Sequence, residues 1–323
     1  MKISLSPIID ELLKVGLPGK FEEDEDWTTV PFDVEYFAEA RNILRKWREE
    51  HVRRSEETVE IWEFVLSRHP RDLGDELWLV YEQVCIAALD TARADVVVEC
   101  IRALQAKFPR SNRVLKLQAM RLEALQRYDS ATHLYEQLIE SDPTNMSYRK
   151  RRIAILKARG ERQEAIHALN DYLKVFINDT EAWLELSDLF LQEGDLARAA
   201  HCMEELILTN PHNSLYLRRL AEIRYTQGGQ ENTELAKSYF EQAVQTNPSC
   251  ARSRYGIVLC CMCLSSKSSG QRKKDYVQTG LAALEKLKNW YDEANTEDWT
   301  EMCNTAFFIQ THTLESLKKQ LES

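Results

Sequence analysis

A 34-residue beat runs through the middle of this sequence and limits the folds open to it more than any other feature. Pro109 and Pro143 stand 34 residues apart, and Pro211 follows 68 residues later, two beats on, with Ile177 at the skipped one. Pro248 comes 37 residues after that, displaced by three extra residues in Gly228-Gly229-Gln230-Glu231-Asn232. The intervals carry large apolar residues early and a small residue in the middle. A unit of this length that cannot bury its own apolar face must stack on copies of itself, and such stacks expose an extended surface for holding other molecules. The period predicts a binding array and argues against an enzyme.

The clearest unit runs from Thr180 to Asn213. Trp183, Leu186 and Phe190 recur at spacings of three and four and so share one face of a first helix. Gly194-Asp195 supplies the turn, and Ala199 is small enough to let a second helix cross closely. Met203 and Leu206 pack its other side, and Pro211 cannot continue the helix. This is the tetratricopeptide (TPR) pattern. It recurs at 78–111 (Tyr81, Val84, Ala88, Ile101, Leu104), 112–145 (Leu115, Ala119, Leu122, Ala131, Tyr135), 146–179 (Ile153, Leu156, Ala165, Leu169) and 214–248 (Leu217, Leu220, Ala236, Phe240).

The expected fold is an all-α TPR solenoid over 38–292. Weaker helical pairs flank the five repeats, at Glu39–His51 with Ser55–Arg68, and at Cys250–Leu264 with Lys273–Trp290 across a polar loop at 265–272. Residues 293–323, with Trp299, Phe307, Phe308, Leu314 and Leu317, are expected to be C-terminal capping helices, because an open solenoid end exposes apolar surface. Residues 1–37, with Pro7, Gly16, Pro18, Gly19, Pro31 and an acidic run from Glu22 to Asp26, are expected to form a mobile or partner-ordered arm.

Composition narrows the function. Acidic residues outnumber basic ones by 52 to 42, so nucleic acid is disfavoured as the main partner. No apolar run approaches the roughly 18 residues that a membrane span requires. The eight cysteines form no paired framework, which suits reduced thiols in the cytosol. No Gly-rich phosphate loop, nucleophile elbow or HExxH motif is present, so neither catalysis nor a cofactor is expected.

Two features tempt a metal reading. His133, His167 and His201 repeat at 34, but equivalent positions of stacked repeats lie about 10 Å apart, whereas each zinc ligand must approach the ion to about 2.1 Å. An exposed row on the outer face of the second helices is expected instead. Cys260, Cys261 and Cys263 have no second ligand pair nearby and read as a buried helix face. No metal site is predicted.

Charge on the first helices points to a partner groove. Arg113, Lys116, Lys150, Lys157 and Arg218 are expected to face inward, with Glu181, Asp188, Glu222 and Tyr225 among them. A partner segment carrying both charge signs would suit such a mixed surface.

Six stretches go beyond a generic repeat: LRKWREE (44–50), LGDELWLVYEQVCIAALD (73–90), RLEALQRYDSATHLYEQLIESDPTN (121–145), RKRRIAILKARG (149–160), AAHCMEELILTNPHNSLY (199–216) and AEIRYTQGGQEN (221–232). Over residues 38–260 the sequence resembles the TPR-containing second subunit of the endoplasmic reticulum (ER) membrane protein complex, including the three-residue insertion. That resemblance implies a scaffold peripheral to the cytoplasmic face of the ER membrane. Its expected partners are cytosolic portions of membrane-embedded subunits and a paired globular subunit, and a tail of one small membrane subunit would lie along the groove. The complex it implies inserts transmembrane segments, notably tail-anchored ones.

Two other readings stand beside it. A co-chaperone adaptor would grip chaperone C-terminal tails with a Lys/Asn clamp, but Met120 and Ala154 occupy positions where such a clamp offers polar donors. A TPR-bearing enzyme regulator or RNA-processing factor is the third. The acidic balance weighs against RNA.

Overall fold

The computed structural model describes residues 34–294, together with His312, Glu315 and Lys319 as single helical positions. Among these residues the chain is all α, with fourteen helices and no strand. They are α1 (Val34–Glu49), α2 (Ser55–Phe64), α3 (Leu77–Asp90), α4 (Ala94–Lys107), α5 (Asn112–Ala124), α6 (Tyr128–Ser141) and α7 (Met146–Ala158). The series continues with α8 (Arg162–Val175), α9 (Thr180–Gln192), α10 (Leu196–Thr209), α11 (Ser214–Gln227), α12 (Gln230–Thr246), α13 (Ala251–Lys267) and α14 (Gly270–Ala294). Short 3-10 turns, Leu66–Arg68 and Pro70–Glu76, join α2 to α3. Residues 1–33 of the expected arm at 1–37 and almost all of the expected cap at 293–323 lie outside the described residues.

Every beat residue plays the same part. Pro109, Pro143, Ile177, Pro211 and Pro248 each fall two residues past the end of a second helix. Two residues further on, a side chain caps the next first helix at three of the five junctions. Asn145 Oδ1 accepts from the Ser147 amide, Asp179 Oδ1 from Ala182 and Asn213 Oδ1 from Leu215, each satisfying an amide that helix geometry leaves without a partner. The turn inside each repeat is equally periodic. Ala92, Gln126, Gly160, Gly194 and Gly228 all have positive φ, between 56° and 78°. Glycine adopts this geometry freely, and Ala92 and Gln126 do so against their Cβ atoms.

The molecule divides into two compact units, one ending at Gly160 and the other beginning at Glu161, inside the repeat at 146–179. The core of unit 1 surrounds Trp62, which is 1% exposed and lies 5.0 Å from the Tyr81 ring centroid, with Leu44, Ile61, Leu66 and Val84 packed about it. Ala119 and Ala131 allow α5 and α6 to meet over Tyr135, whose hydroxyl donates to Glu123. In unit 2, Ala199, Leu186 and Phe190 are buried, and the Arg198 guanidinium lies 4.6 Å from the Phe190 ring centroid. Further along, Phe240 lies against Gly256, where an added Cβ would sit 2.5 Å from the ring.

Two boundaries differ from the sequence reading. Helix α1 begins at Val34, so residues 34–37 belong to it and not to the expected arm. Phe37, Ala40, Leu44 and Trp47 form one buried stripe whose first member the reading beginning at Glu39 omitted. The polar loop expected at 265–272 shrinks to Ser268-Ser269. The Ser265 and Ser266 hydroxyls donate to the carbonyls of Met262 and Cys263, and the helix continues through them to Lys267.

Candidate binding surface

In unit 1 the loop after α1 and the helices α1, α2, α3, α5 and α7 line a cleft of ≈ 410 Å³. Five cations reach it (Arg48, Arg53, Arg54, Lys116 and Arg151) against one lining carboxylate, Asp90. Trp47, Ile86 and Met120 form its apolar lining, and the Arg54 guanidinium stands 5.7 Å from the Trp47 ring centroid. Four of the cations have acid partners. Arg48 donates to Glu76 at 3.1 Å, Arg53 holds Asp90, Arg54 lies 3.6 Å from Glu57, and Arg151 donates to Glu123 at 3.1 Å. The Arg53 contact, with help from Ser55, keeps the Asp90 carboxyl below its usual range.

Lys116 differs from the rest. Partial burial pushes its ammonium pKa down, and the neighbouring charges of Arg151 and Arg113 push the same way. The one opposing carboxylate among the described residues that acts on it, Glu82, is itself held by Arg113. Removing a cation from water without a paired anion is costly, and an anionic group entering the cleft would relieve that cost.

Unit 2 presents a second surface of the same origin. Helices α11, α12 and α13 line a cleft of ≈ 380 Å³ with Glu222, Tyr225, Phe240, Arg252, Tyr255 and Leu259. Here each carboxylate is paired with arginine. Arg252 donates twice to Glu222, at 2.6 and 3.2 Å, Arg218 Nε lies 3.6 Å from Glu222, and Arg219 donates to Asp188.

The expected groove residues thus separate into three kinds. Lys116, Tyr225 and Glu222 line clefts. Arg113, Asp188, Arg218 and Glu222 are engaged in ion pairs, three of which (Glu82–Arg113, Asp188–Arg219 and Glu222–Arg252) tie one first helix to the next, 30 or 31 residues away. Glu181 and Lys157 are exposed and Lys150 is half-buried, and none of the three lines either cleft. Arg151, one position beyond Lys150 and so about 100° further round α7, lines the unit 1 cleft in its place and donates to Glu123 of the preceding repeat. Reasoning from sequence missed Arg48, Arg53, Arg54 and Arg151. The run His51-Val52-Arg53-Arg54 was the available signal, but it lies largely between helices, where a period says nothing.

The features set aside at the outset have plain positions. His133, His167 and His201 are exposed. Cys260 and Cys261 are fully buried, and desolvation pushes both thiols up to about 12. No helix among the described residues is long and apolar enough to cross a membrane.

Comparison with known proteins decides the family. The EMC2 TPR-like repeat domain matches residues 101–241. ER membrane protein complex subunit 2-A of Xenopus laevis is 45% identical over 265 residues, covering 81% of this chain and 89% of that protein. This chain belongs to the ER membrane protein complex subunit 2 family. A more distant relative, ER membrane protein complex subunit 2 of Dictyostelium discoideum, is 28% identical across 79% of this chain and 85% of its own length. The fold itself recurs in the solved C-terminal part of a TPR repeat-containing protein from Cytophaga hutchinsonii, at a TM-score of 0.54 and 13% identity, over 80% of this chain and 100% of that one. The family match begins at Ile101 and ends at Glu241, so it includes Lys116, Arg151 and the three-residue insertion of the fifth repeat.

Proposed function

We propose that this chain is a non-catalytic scaffold subunit of the ER membrane protein complex, carried on the cytoplasmic face of the ER membrane by its partners. Its task is to hold the cytosolic portions of membrane-embedded subunits, and a paired globular subunit, in the arrangement that inserts transmembrane segments of tail-anchored and multipass clients. The observation that carries this reading is 45% identity along 89% of a relative named for that complex. The chain's own chemistry agrees with it. Its first helices present charged, partly apolar clefts suited to polypeptide segments, and Leu208, Ile177 and Val175 stand 75%, 62% and 59% exposed at the ends of second helices, available to a docking protein.

The co-chaperone alternative has less support, because Met120 gives the unit 1 cleft an apolar lining where a clamp for chaperone tails places polar donors. Purification of the tagged chain from cells in mild detergent separates the two readings. Co-elution of integral membrane subunits in fixed stoichiometry is expected. Recovery with a cytosolic chaperone alone, and no membrane subunit, would overturn the assignment.

A further inference from the structure

Among the described residues, Lys116 is the one cation of the unit 1 cleft without an ion pair. Arg48, Arg53, Arg54 and Arg151 each have an acid there, in Glu76, Asp90, Glu57 and Glu123. The carboxylate that acts on Lys116 is Glu82 of α3. Both of its oxygens accept from the Arg113 guanidinium, one turn before Lys116 on α5. Arg113 and Arg151 of α7 add like charge. The remaining charged or titratable groups of the cleft are Arg48 on α1, His51, Arg53 and Arg54 in the segment after it, and Asp90 on α3.

These surroundings disfavour the ammonium form. Lys116 is half-buried, two guanidiniums repel its charge, and the acid that would hold it is engaged elsewhere. Its pKa is pushed down, with burial the largest cause. Desolvation and a neighbouring cation are the two conditions that make a lysine amine nucleophilic at neutral pH. Access is kept, because Lys116 lines a cleft of ≈ 410 Å³, ample for a short acyl group. Trp47, Ile86 and Met120 give that cleft an apolar lining.

We propose that Lys116 is an acylation site of this chain, taking short acyl groups from acyl thioesters. The neutral nitrogen attacks the thioester carbonyl carbon. A C–N bond forms as the C–S bond breaks, and the leaving thiolate takes up the proton that the nitrogen gives up. The product is an uncharged amide in a partly apolar cleft. Acylation thus removes the cation that no acid holds and leaves the paired arginines as they were. This reactivity goes beyond the scaffold reading and does not depend on it, so its failure would leave that reading intact.

Labelling of the full-length chain with S-acetyl-N-acetylcysteamine, an uncharged acetyl thioester, tests the proposal, with the rate at each lysine read by peptide mass spectrometry. Near neutral pH, Lys116 should react at least about threefold faster than Lys46 and Lys174, whose side chains are 69% and 75% exposed. A smaller advantage, or none, would overturn the proposal. Two variants test the electrostatic cause. Arg113→Met removes a repelling charge and frees Glu82, so labelling of Lys116 should slow. Glu82→Gln removes the attracting charge, so labelling should quicken. Each change is expected to be about twofold or more. Shifts in the same direction, or no shift in either variant, would overturn the proposal, because exposure alone would then govern the site.

Discussion

The two units build their clefts from the same part of the repeat and leave them in different electrostatic states. In unit 2, the first helices spend their charge on each other. Arg219 holds Asp188, and Arg252 and Arg218 share Glu222, so each of these charges has an opposite partner. Unit 1 has rungs of the same kind, Arg113 on Glu82 and Arg151 on Glu123, but its cleft also holds a partly buried lysine, Lys116, with no ion pair among the described residues. A charged residue at a given phase of the repeat is therefore either a rung between neighbouring helices or a contact offered to something else. The periodicity is blind to the distinction.

The contrast presupposes that each unit rests on its own apolar foundation, and the largest expected effect tests that. Replacing Trp62 by Ala empties the centre of unit 1 and should cost about 3–5 kcal/mol, read as a lower denaturation midpoint with hydrogen exchange accelerated in α2 and α3. Exchange accelerated in α12 and α13 instead would break the division. The corresponding change in unit 2 is Gly256→Ala, which drives a methyl group into the Phe240 ring and should cost about 1–3 kcal/mol, with faster exchange in those two helices.

Two of the turns should respond with opposite sign. Gln126→Gly relieves a side chain held at φ 56°, whereas Gly194→Ala imposes one at φ 76°. The first is expected to stabilise and the second to destabilise, each by about 1 kcal/mol, in thermal melts of the single variants. Smallest of all is the charge ladder. Asp188 and Arg219 are about one-third exposed or more, so Arg219→Met should cost no more than about 0.5 kcal/mol after screening by solvent. The exchanged pair Asp188→Arg with Arg219→Asp should recover most of that loss. A swap that remains as unstable as the single variant would show that the pair is not a rung.

Much of this was legible because helix packing obeys a period. The residues that close each repeat, Ala199 at the helix crossing and Gly194 in the turn all lie where spacing put them, since each satisfies a local requirement that recurs every 34 residues. The cleft was legible only in part. Lys116 lies in it, but Lys150, one beat later, does not. The shape of a cleft depends on which long side chain reaches across to the neighbouring helix, and there Arg151 prevails through Glu123. Arg53 and Arg54 enter from the irregular segment between α1 and α2, which carries no helical period to read. The three-residue insertion at 228–232 behaved in the opposite way. It broke the beat but carried the family likeness.

Membrane fractionation tests the central claim most directly. Cells expressing the chain are compared with and without the integral subunits of the complex, and the distribution of the chain between membrane and supernatant is measured. The account predicts recovery with ER membranes only while those subunits are present, and release to the supernatant when they are lost. Membrane association that persists unchanged in their absence would contradict it.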